Sequence, residues 1–291
     1  MEPQKFRATD DGLEFAEGVA YQLGMEFDRE ATRREADEMH ELYFKAIVRV
    51  TELPVSLAVF HAAALRKVNA YVPFSETDQG EVFFDEQLDA WLLAMTQLIT
   101  IMACKQIEAN EVGALVSAFV KNLDVAIEPH LHESTRTRLK GFICRHSDFM
   151  PVAVPLRRAM VVFVICHELG HIIAGHHNLL EGPSRPIEWE ADRIAADLYR
   201  KVVLAGLDAH PVSIHPKLAG APILMMYCFD LIQKRRLQRG ETAKRKSSHP
   251  LGSERAASLL RSLEPVLDEA GYVLDGFTAA LKELTEFAEL D

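Results

Sequence analysis

The sequence predicts a mostly α-helical fold with a small β element, in the α+β class. Apolar side chains recur at helical spacing through most of the chain, whereas β-prone runs are confined to Val68–Val72 and Glu81–Phe84. The chain has 291 residues, of which 48% are hydrophobic and 26% are charged, the balance of an ordinary globular protein. This composition excludes a disordered chain, a collagen-like repeat and a small disulfide scaffold.

The individual elements follow from the spacing of apolar residues and from the positions of proline. Asp28–Val50 has the pattern of an amphipathic helix that ends before Pro54. The two β-prone runs flank a turn-rich segment and predict a β-hairpin with a long loop. We expect residues 141–155, which end in two prolines, to form a connection. Further helices are predicted at Glu86–Cys104, Ile107–Leu123, Leu131–Leu139, Leu156–His177, Ile187–Val203 and Pro216–Gln238, and two more close the chain.

Charge and cysteine usage narrow the class of protein. The net charge of -11 argues for a protein that does not bind nucleic acid, because nucleic-acid binding depends on positive side chains that neutralise phosphates. The four cysteines contain no C-x-x-C pair, which favours reduced thiols in a cytosolic protein. Residues 1–11 have no apolar signal region, and the longest apolar stretches are shorter than the roughly 18–20 residues of a membrane span. We therefore expect a cytoplasmic protein without a membrane span.

The segment His167-Glu168-Leu169-Gly170-His171 is an H-E-x-x-H motif within a helical pattern. Residues four apart lie on one face of a helix, so His167 and His171 can present two imidazoles to one ion. Glu168 lies beside them and is suited to take a proton from a water activated by the ion. The motif predicts a zinc site with Glu168 as the catalytic carboxylate.

A catalytic zinc site needs a third protein ligand and an open fourth position. Glu188 lies 17 residues after His171 on the next predicted helix, behind a loop that lets this helix fold back. We predict Glu188 as the third ligand, with Glu190 as the second choice on that helix. Asp192, one turn after Glu188, is expected to hydrogen-bond a ligand imidazole and fix its tautomer.

His177 is the rival third ligand. It lies ten residues after His167, where the metzincin pattern H-E-x-x-H-x-x-G-x-x-H has its third histidine. That pattern requires glycine at position 174 to turn the chain, but this sequence has Ala174 followed by Gly175. The spacing therefore favours Glu188 over His177, and a polar helix C-terminus accounts for His176 and His177.

Together, H-E-L-G-H and the later segment Glu188-Trp189-Glu190-Ala191-Asp192 resemble the gluzincin metallopeptidases. The resemblance is strongest to the CAAX prenyl proteases and HtpX-like proteases, and looser to ImmA/IrrE-type and phage-exclusion Lit-type proteases. Asn69-Ala70-Tyr71 followed by Val82-Phe83-Phe84 is similar to the strand pair before the motif helix of that family. Ser248-His249-Pro250 with Arg255 is similar to its later Thr-His-Pro segment.

This resemblance implies a zincin-like metallopeptidase fold and further site residues. It implies that His249 lies close to the metal, either assisting the transition state or blocking the open position, and that Arg255 supports the site. It covers residues 69–85 and 160–262, and does not extend to the first 60 residues. We expect an N-terminal helical region at 1–67 and a zincin-like domain at 68–291, with a helical insertion at about 104–155, all in one compact unit.

The expected activity is zinc-dependent hydrolysis of peptide bonds in a protein or peptide substrate. Zinc would lower the pKa of a water molecule that Glu168 deprotonates. His249 is the first candidate for oxyanion stabilisation, and Arg255 and Tyr71 are weaker ones. We expect the substrate backbone to pair with an edge strand at residues 81–85.

Two alternatives remain open: a highly selective regulatory or phage-defence protease that cuts one cytosolic partner, and a non-catalytic zincin-fold binding module.

Overall fold

A computed structural model of the chain is mostly helical and contains one small sheet, which confirms the predicted α+β class. The zincin-like arrangement within that class remains a prediction. The structure describes residues 29–63, 70–73, 79–104, 108, 110–128, 146–179, 184–240, 250–267 and 270–289.

Long helices account for most of these residues. The first one, α1, ends close to the predicted position before Pro54, and helices at the predicted places follow it. The bounds of the long helices are α1 Arg29–Val50, α2 Glu86–Cys104, α3 Val112–Ile127, α4 Met150–Ile173, α5 Arg185–Ala205, α6 Ala221–Gln238, α7 Gly252–Leu267 and α8 Gly271–Glu289.

The sheet has three strands in the order β1-β3-β2, with β1 at Ala58–Ala63, β2 at Ala70–Tyr71 and β3 at Gly80–Asp85. The antiparallel pairing of β2 with β3 confirms the predicted hairpin. β1 runs parallel to β3 on its other side, so β3 is the central strand. The prediction of an edge strand at 81–85 is therefore wrong, because both sides of β3 already pair within the sheet.

Helix α4 passes through the centre of the structure. It packs against α5, α2, α6 and the sheet, and residues Ala159 to Cys166 are all buried. The helix begins at Met150, so the predicted connection at 141–155 extends too far. Pro151 falls at the start of the helix, where a missing N–H costs nothing, and the helix continues through Pro155.

Two of the helices meet the length and composition of a membrane span: α2, over Gln87–Cys104, and α4. Most residues of both are buried within the folded chain, as in the core helices of globular proteins. The expectation of no membrane span, like the cytoplasmic location, stays a prediction.

Several predictions fall outside the described residues: the domain boundary at 67, Asn69, the helix at Leu131–Leu139 and His249. The predicted insertion is described at α3, which packs against α2 and α6. β1 belongs to the predicted N-terminal region and joins the sheet of the predicted second region.

Candidate metal centre

The two histidines of the H-E-x-x-H motif lie one turn apart near the C-terminal end of α4. Their Nε2 atoms are 3.1 Å apart, with the ring planes at 86° to each other. Both side chains are mostly buried, with about an eighth of their surface exposed (12% for His167 and 13% for His171). One face of α4 therefore offers two imidazole nitrogens to the same point.

Glu188 completes this group from the neighbouring helix. It lies in the first turn of α5, where Pro186 helps to start the helix and an acidic side chain suits the helix dipole. Its carboxylate oxygens are 3.5 Å from His167 Nε2 and 3.8 Å from His171 Nε2. One atom from each of the three side chains lies within 4.8 Å of the other two.

These separations are compatible with a single bound cation. Four ligands around zinc at bond lengths of about 2.0–2.1 Å are about 3.3 Å apart in a tetrahedron. The two Nε2 atoms are 3.1 Å apart, close to that value, and the two oxygens of Glu188 lie near them, Oε2 at 3.5 Å from His167 and Oε1 at 3.8 Å from His171. Two imidazoles and one carboxylate are also a ligand set that zinc accepts with its fourth position open. His167, His171 and Glu188 can therefore bind a metal ion.

The close approach of α4 and α5 depends on Gly170. A Cβ at this position would lie 2.7 Å from the carbonyl oxygen of Ala191, which is too short for a contact with backbone. Gly170 precedes His171, and Ala191 lies between Glu188 and Asp192. The glycine of the motif thus lets α5 lie near enough to α4 for Glu188 to reach both histidines.

Asp192 and Arg255 support the site from the side opposite Glu188. Asp192 Oδ1 is 3.0 Å from His167 Nδ1, on the far side of the ring from Glu188. Arg255, on α7, donates two hydrogen bonds of 2.7 and 2.6 Å to the carboxylate of Asp192. Both residues are buried, so the predicted supporting roles agree with their positions. Because the guanidinium of Arg255 already donates these two hydrogen bonds to Asp192, Arg255 is a poorer candidate for oxyanion stabilisation.

The pKa of Glu168 is shifted towards neutrality. The side chain is 5% exposed, and burial raises its pKa to about 7, although the charges of His167 and Arg255 act in the opposite direction. A carboxyl group with a pKa near the working pH can both accept and return a proton. Burial thus moves the pKa of Glu168 towards the range in which a carboxyl group exchanges a proton near neutral pH.

The pKa values of the two histidines are shifted in opposite directions. Burial lowers the pKa of His167, but hydrogen bonds with Asp192 and Glu188 outweigh burial and raise it to about 9. Burial and the neighbouring charge of His167 lower the pKa of His171 to about 3. Because metal ligation requires neutral imidazoles, binding through His167 would release a proton.

A further contact on this site was not predicted from the sequence. Gly175 has a left-handed φ of 73° and turns the chain after α4 into a short 3-10 helix, His176–Asn178. This turn places His176 Nδ1 3.0 Å from His171 Nδ1, and His176 Nε2 lies 3.2 Å from Glu190 Oε2. The sequence feature that could have indicated this turn is Gly175 itself, two residues after the end of the helix, because glycine readily adopts a left-handed φ.

The other candidates lie outside the cluster or are not described. His177 is buried and is not a member of the ligand group, and Glu190 is half-exposed beside His176. Tyr71 stacks on Phe83 in the sheet, at a ring distance of 5.4 Å. His249 and Asn69 fall outside the described residues, so their predicted roles stay predictions.

No family model, curated protein or solved structure matches this chain. The resemblance to the gluzincins therefore rests on the sequence motifs alone and stays a prediction. The structure itself shows a mostly buried group of three side chains, His167, His171 and Glu188, that could hold a metal ion.

Proposed function

We propose that this protein is a zinc-dependent metallopeptidase with His167, His171 and Glu188 as the zinc ligands. The observation that carries this proposal is the convergence of these three side chains beside a buried Glu168 whose pKa is about 7. A site that holds metal only for structure has no need of such a carboxylate. Its presence one residue from a ligand favours catalysis over a structural role.

Zinc, when bound, supplies Lewis acidity that polarises a carbonyl group and lowers the pKa of a water molecule. The carboxylate of Glu168 accepts a proton from the attacking water as the new C–O bond forms. The same carboxyl group then returns this proton to the amide nitrogen as the C–N bond breaks, so one water is consumed for each bond cut. His167 is held through Nδ1 by Asp192, which is fixed in turn by Arg255.

The proposal is tested first by metal content. Purified wild type is expected to contain about one zinc per chain by elemental analysis, and Glu188→Ala is expected to lose it. His177→Ala is the matched comparison, because His177 is also buried near the end of α4 but is not in the ligand group. Circular dichroism would establish that each variant is folded.

A peptide library then tests the reaction. New amino termini are expected after incubation with the zinc-loaded wild type, detected by mass spectrometry. Wild type without bound zinc, even after zinc is supplied, would overturn the proposal. Zinc binding without cleavage of any peptide or candidate cytosolic protein would favour a non-catalytic binding module instead.

A further inference from the structure

His171 has neighbours at both ring nitrogens, and they differ in kind. Its Nε2 atom faces the other ligands, 3.1 Å from His167 Nε2 and 3.8 Å from Glu188 Oε1. Its Nδ1 atom lies 3.0 Å from Nδ1 of His176, a residue that has no part in the proposed ligand set. The side chain of His176 is only 7% exposed, so this contact is shielded from water.

The chemistry of imidazole determines which of these nitrogens carries a proton. A histidine that binds metal through Nε2 must keep the lone pair there, so its proton lies on Nδ1. His171 Nδ1 is then the donor in the 3.0 Å contact, and His176 Nδ1 is the acceptor. An imidazole that accepts a hydrogen bond at Nδ1 carries its proton on Nε2, which is the nitrogen that His176 turns towards Glu190.

Glu190 completes the same arrangement. Its Oε2 atom lies 3.2 Å from His176 Nε2, and a carboxylate can only accept a hydrogen bond. Each contact in the series from His171 to Glu190 therefore has one donor and one acceptor. The protons are placed in the only way that leaves Nε2 of His171 available as a ligand.

The fold holds these residues in place from two helices. The left-handed turn at Gly175 brings His176 back beside the last turn of α4, and Glu190 is on α5, two residues after Glu188. On the other side of the site, Asp192 contacts Nδ1 of His167 and is held by Arg255, and both of these residues are buried. Each proposed histidine ligand thus has its own supporting pair, although Glu190 is 52% exposed.

We propose that His176 and Glu190 are positioning residues that fix the tautomer and ring orientation of His171 and so strengthen metal binding. This inference rests on the proposed zinc ligands. Hydrogen-bonding partners of a metal-bound histidine commonly contribute 10- to 100-fold in metal affinity. His176 is the larger contributor, because it contacts His171 directly and is shielded from solvent.

The test is the Kd for Zn²⁺, measured by competition with a chelating dye. His176→Phe keeps a planar ring but removes the acceptor, and it is expected to weaken binding about 10- to 100-fold. His176→Asn places an amide oxygen near the position of Nδ1 and is expected to restore most of the affinity. Glu190→Ala is expected to cause a smaller loss.

Asp197→Ala is the matched control for Glu190→Ala. Both carboxylates are on α5 and are 52% exposed, but Asp197 pairs with Arg200. Its removal is expected to leave the Kd unchanged. Glu190→Ala also provides a test at an exposed position if His176→Phe fails to fold.

Long-range ¹H–¹⁵N NMR of zinc-loaded wild type and His176→Phe tests the contact between the two rings directly. We expect the proton of His171 on Nδ1 in both proteins, and we expect it to exchange with water more slowly in wild type, where His176 accepts its hydrogen bond. The inference is overturned if His176→Phe and Glu190→Ala bind Zn²⁺ as wild type does, or if His171 carries its proton on Nε2. Absence of zinc from wild type would overturn the proposed function and this inference together. Loss of zinc in Glu188→Ala, with wild-type affinity in His176→Phe and Glu190→Ala, would support the proposed ligands and overturn this inference alone.

Discussion

Glu168 is the residue in which burial and chemistry are most closely linked. Its carboxyl group is surrounded by protein, which raises its pKa to about 7, while its neighbours His167 and Glu188 face the proposed metal. Burying a carboxyl group away from water costs folding free energy. Retaining one here is expected only if it contributes to the reaction.

Replacement of Glu168 by glutamine therefore separates metal binding from catalysis. Glu168→Gln keeps the size of the side chain but cannot accept the proton of the attacking water. We expect unchanged zinc content and a kcat lower by about 10²- to 10⁴-fold, measured on a peptide that wild type cleaves. Glu264→Gln, an exposed change on α7, is the control and is expected to keep the wild-type rate. Cleavage by Glu168→Gln at the wild-type rate would show that this carboxylate is not the general base.

At this scale the sequence predicted much of the cluster. His167, His171 and Glu188 were predicted from helical periodicity and from the length of one loop, and the structure brings them together. His176 was missed because it is five residues from His171 and lies beyond the helix, where periodicity no longer applies. Only the turn at Gly175 returns it to the site.

The packing of α4 against α5 determines the geometry of the site. His167 and His171 come from the first helix and Glu188 from the second, so their distances depend on how closely the two helices approach. Gly170 is the residue that permits this approach, since any side chain there would meet the backbone of Ala191. Helix packing and metal affinity should therefore change together.

Gly170→Ala tests this coupling. The added Cβ would lie 2.7 Å from the Ala191 carbonyl oxygen, and the helices must separate to accommodate it. We expect a loss of about 1–3 kcal/mol in the free energy of unfolding, measured by urea denaturation, together with weaker zinc binding.

Gly276→Ala is the matched control, because no atom lies within 4 Å of the Cβ position in that helix. It is expected to raise stability by roughly 0.5–1 kcal/mol through helix propensity alone. Equal gains in stability from both substitutions would contradict the role assigned to Gly170.

The elements themselves were predicted unevenly. Long helices such as α2 have strong apolar periodicity, and the prediction at Glu86–Cys104 matches the structure. β1 was not predicted, because Ala58-Val-Phe-His-Ala-Ala63 has three alanines, which are uncommon in strands. β1 pairs in parallel with β3, although β2 lies between them along the chain. Local sequence patterns contain no information on a pairing between strands that are not consecutive.

At the scale of the whole molecule, a second polar cluster joins α4, at Arg157, to two other helices and to the sheet. Asp89 on α2 accepts a 3.1 Å hydrogen bond from Arg157 on α4 and lies 3.3 Å from His40 on α1. The ring of His40 packs against Phe84 of β3 in a tilted arrangement, with the ring centroids 4.6 Å apart. This cluster connects three helices and the sheet, so its charge state should affect the stability of the whole fold.

The stability contributed by Asp89 depends on pH in a defined direction. Burial raises the pKa of Asp89, but the positive charge of Arg157 and the hydrogen bond with His40 outweigh it and lower the pKa below its usual 3.8. A carboxylate with a lowered pKa stabilises the fold above the pKa of the unfolded chain. This stability is lost as pH falls through the lower pKa of the folded state.

We therefore expect Asp89→Asn to destabilise the protein more at pH 7 than at pH 3. At pH 7 the variant removes the carboxylate from the partly buried guanidinium of Arg157, at a cost of roughly 1–3 kcal/mol. As pH falls below about 4, the unfolded wild-type chain takes up a proton at Asp89 before the folded state does, so the difference in free energy of unfolding shrinks until the folded carboxylate is protonated as well. Urea denaturation of both proteins across this range measures that difference, with metal removed from both.

Asp197→Asn, at an exposed ion pair, is the control, and its effect on the free energy of unfolding is expected to be close to zero at every pH. A difference that stays constant from pH 7 to pH 3 would mean that Asp89 does not act through its charge, and the link between the three helices would then depend on packing alone.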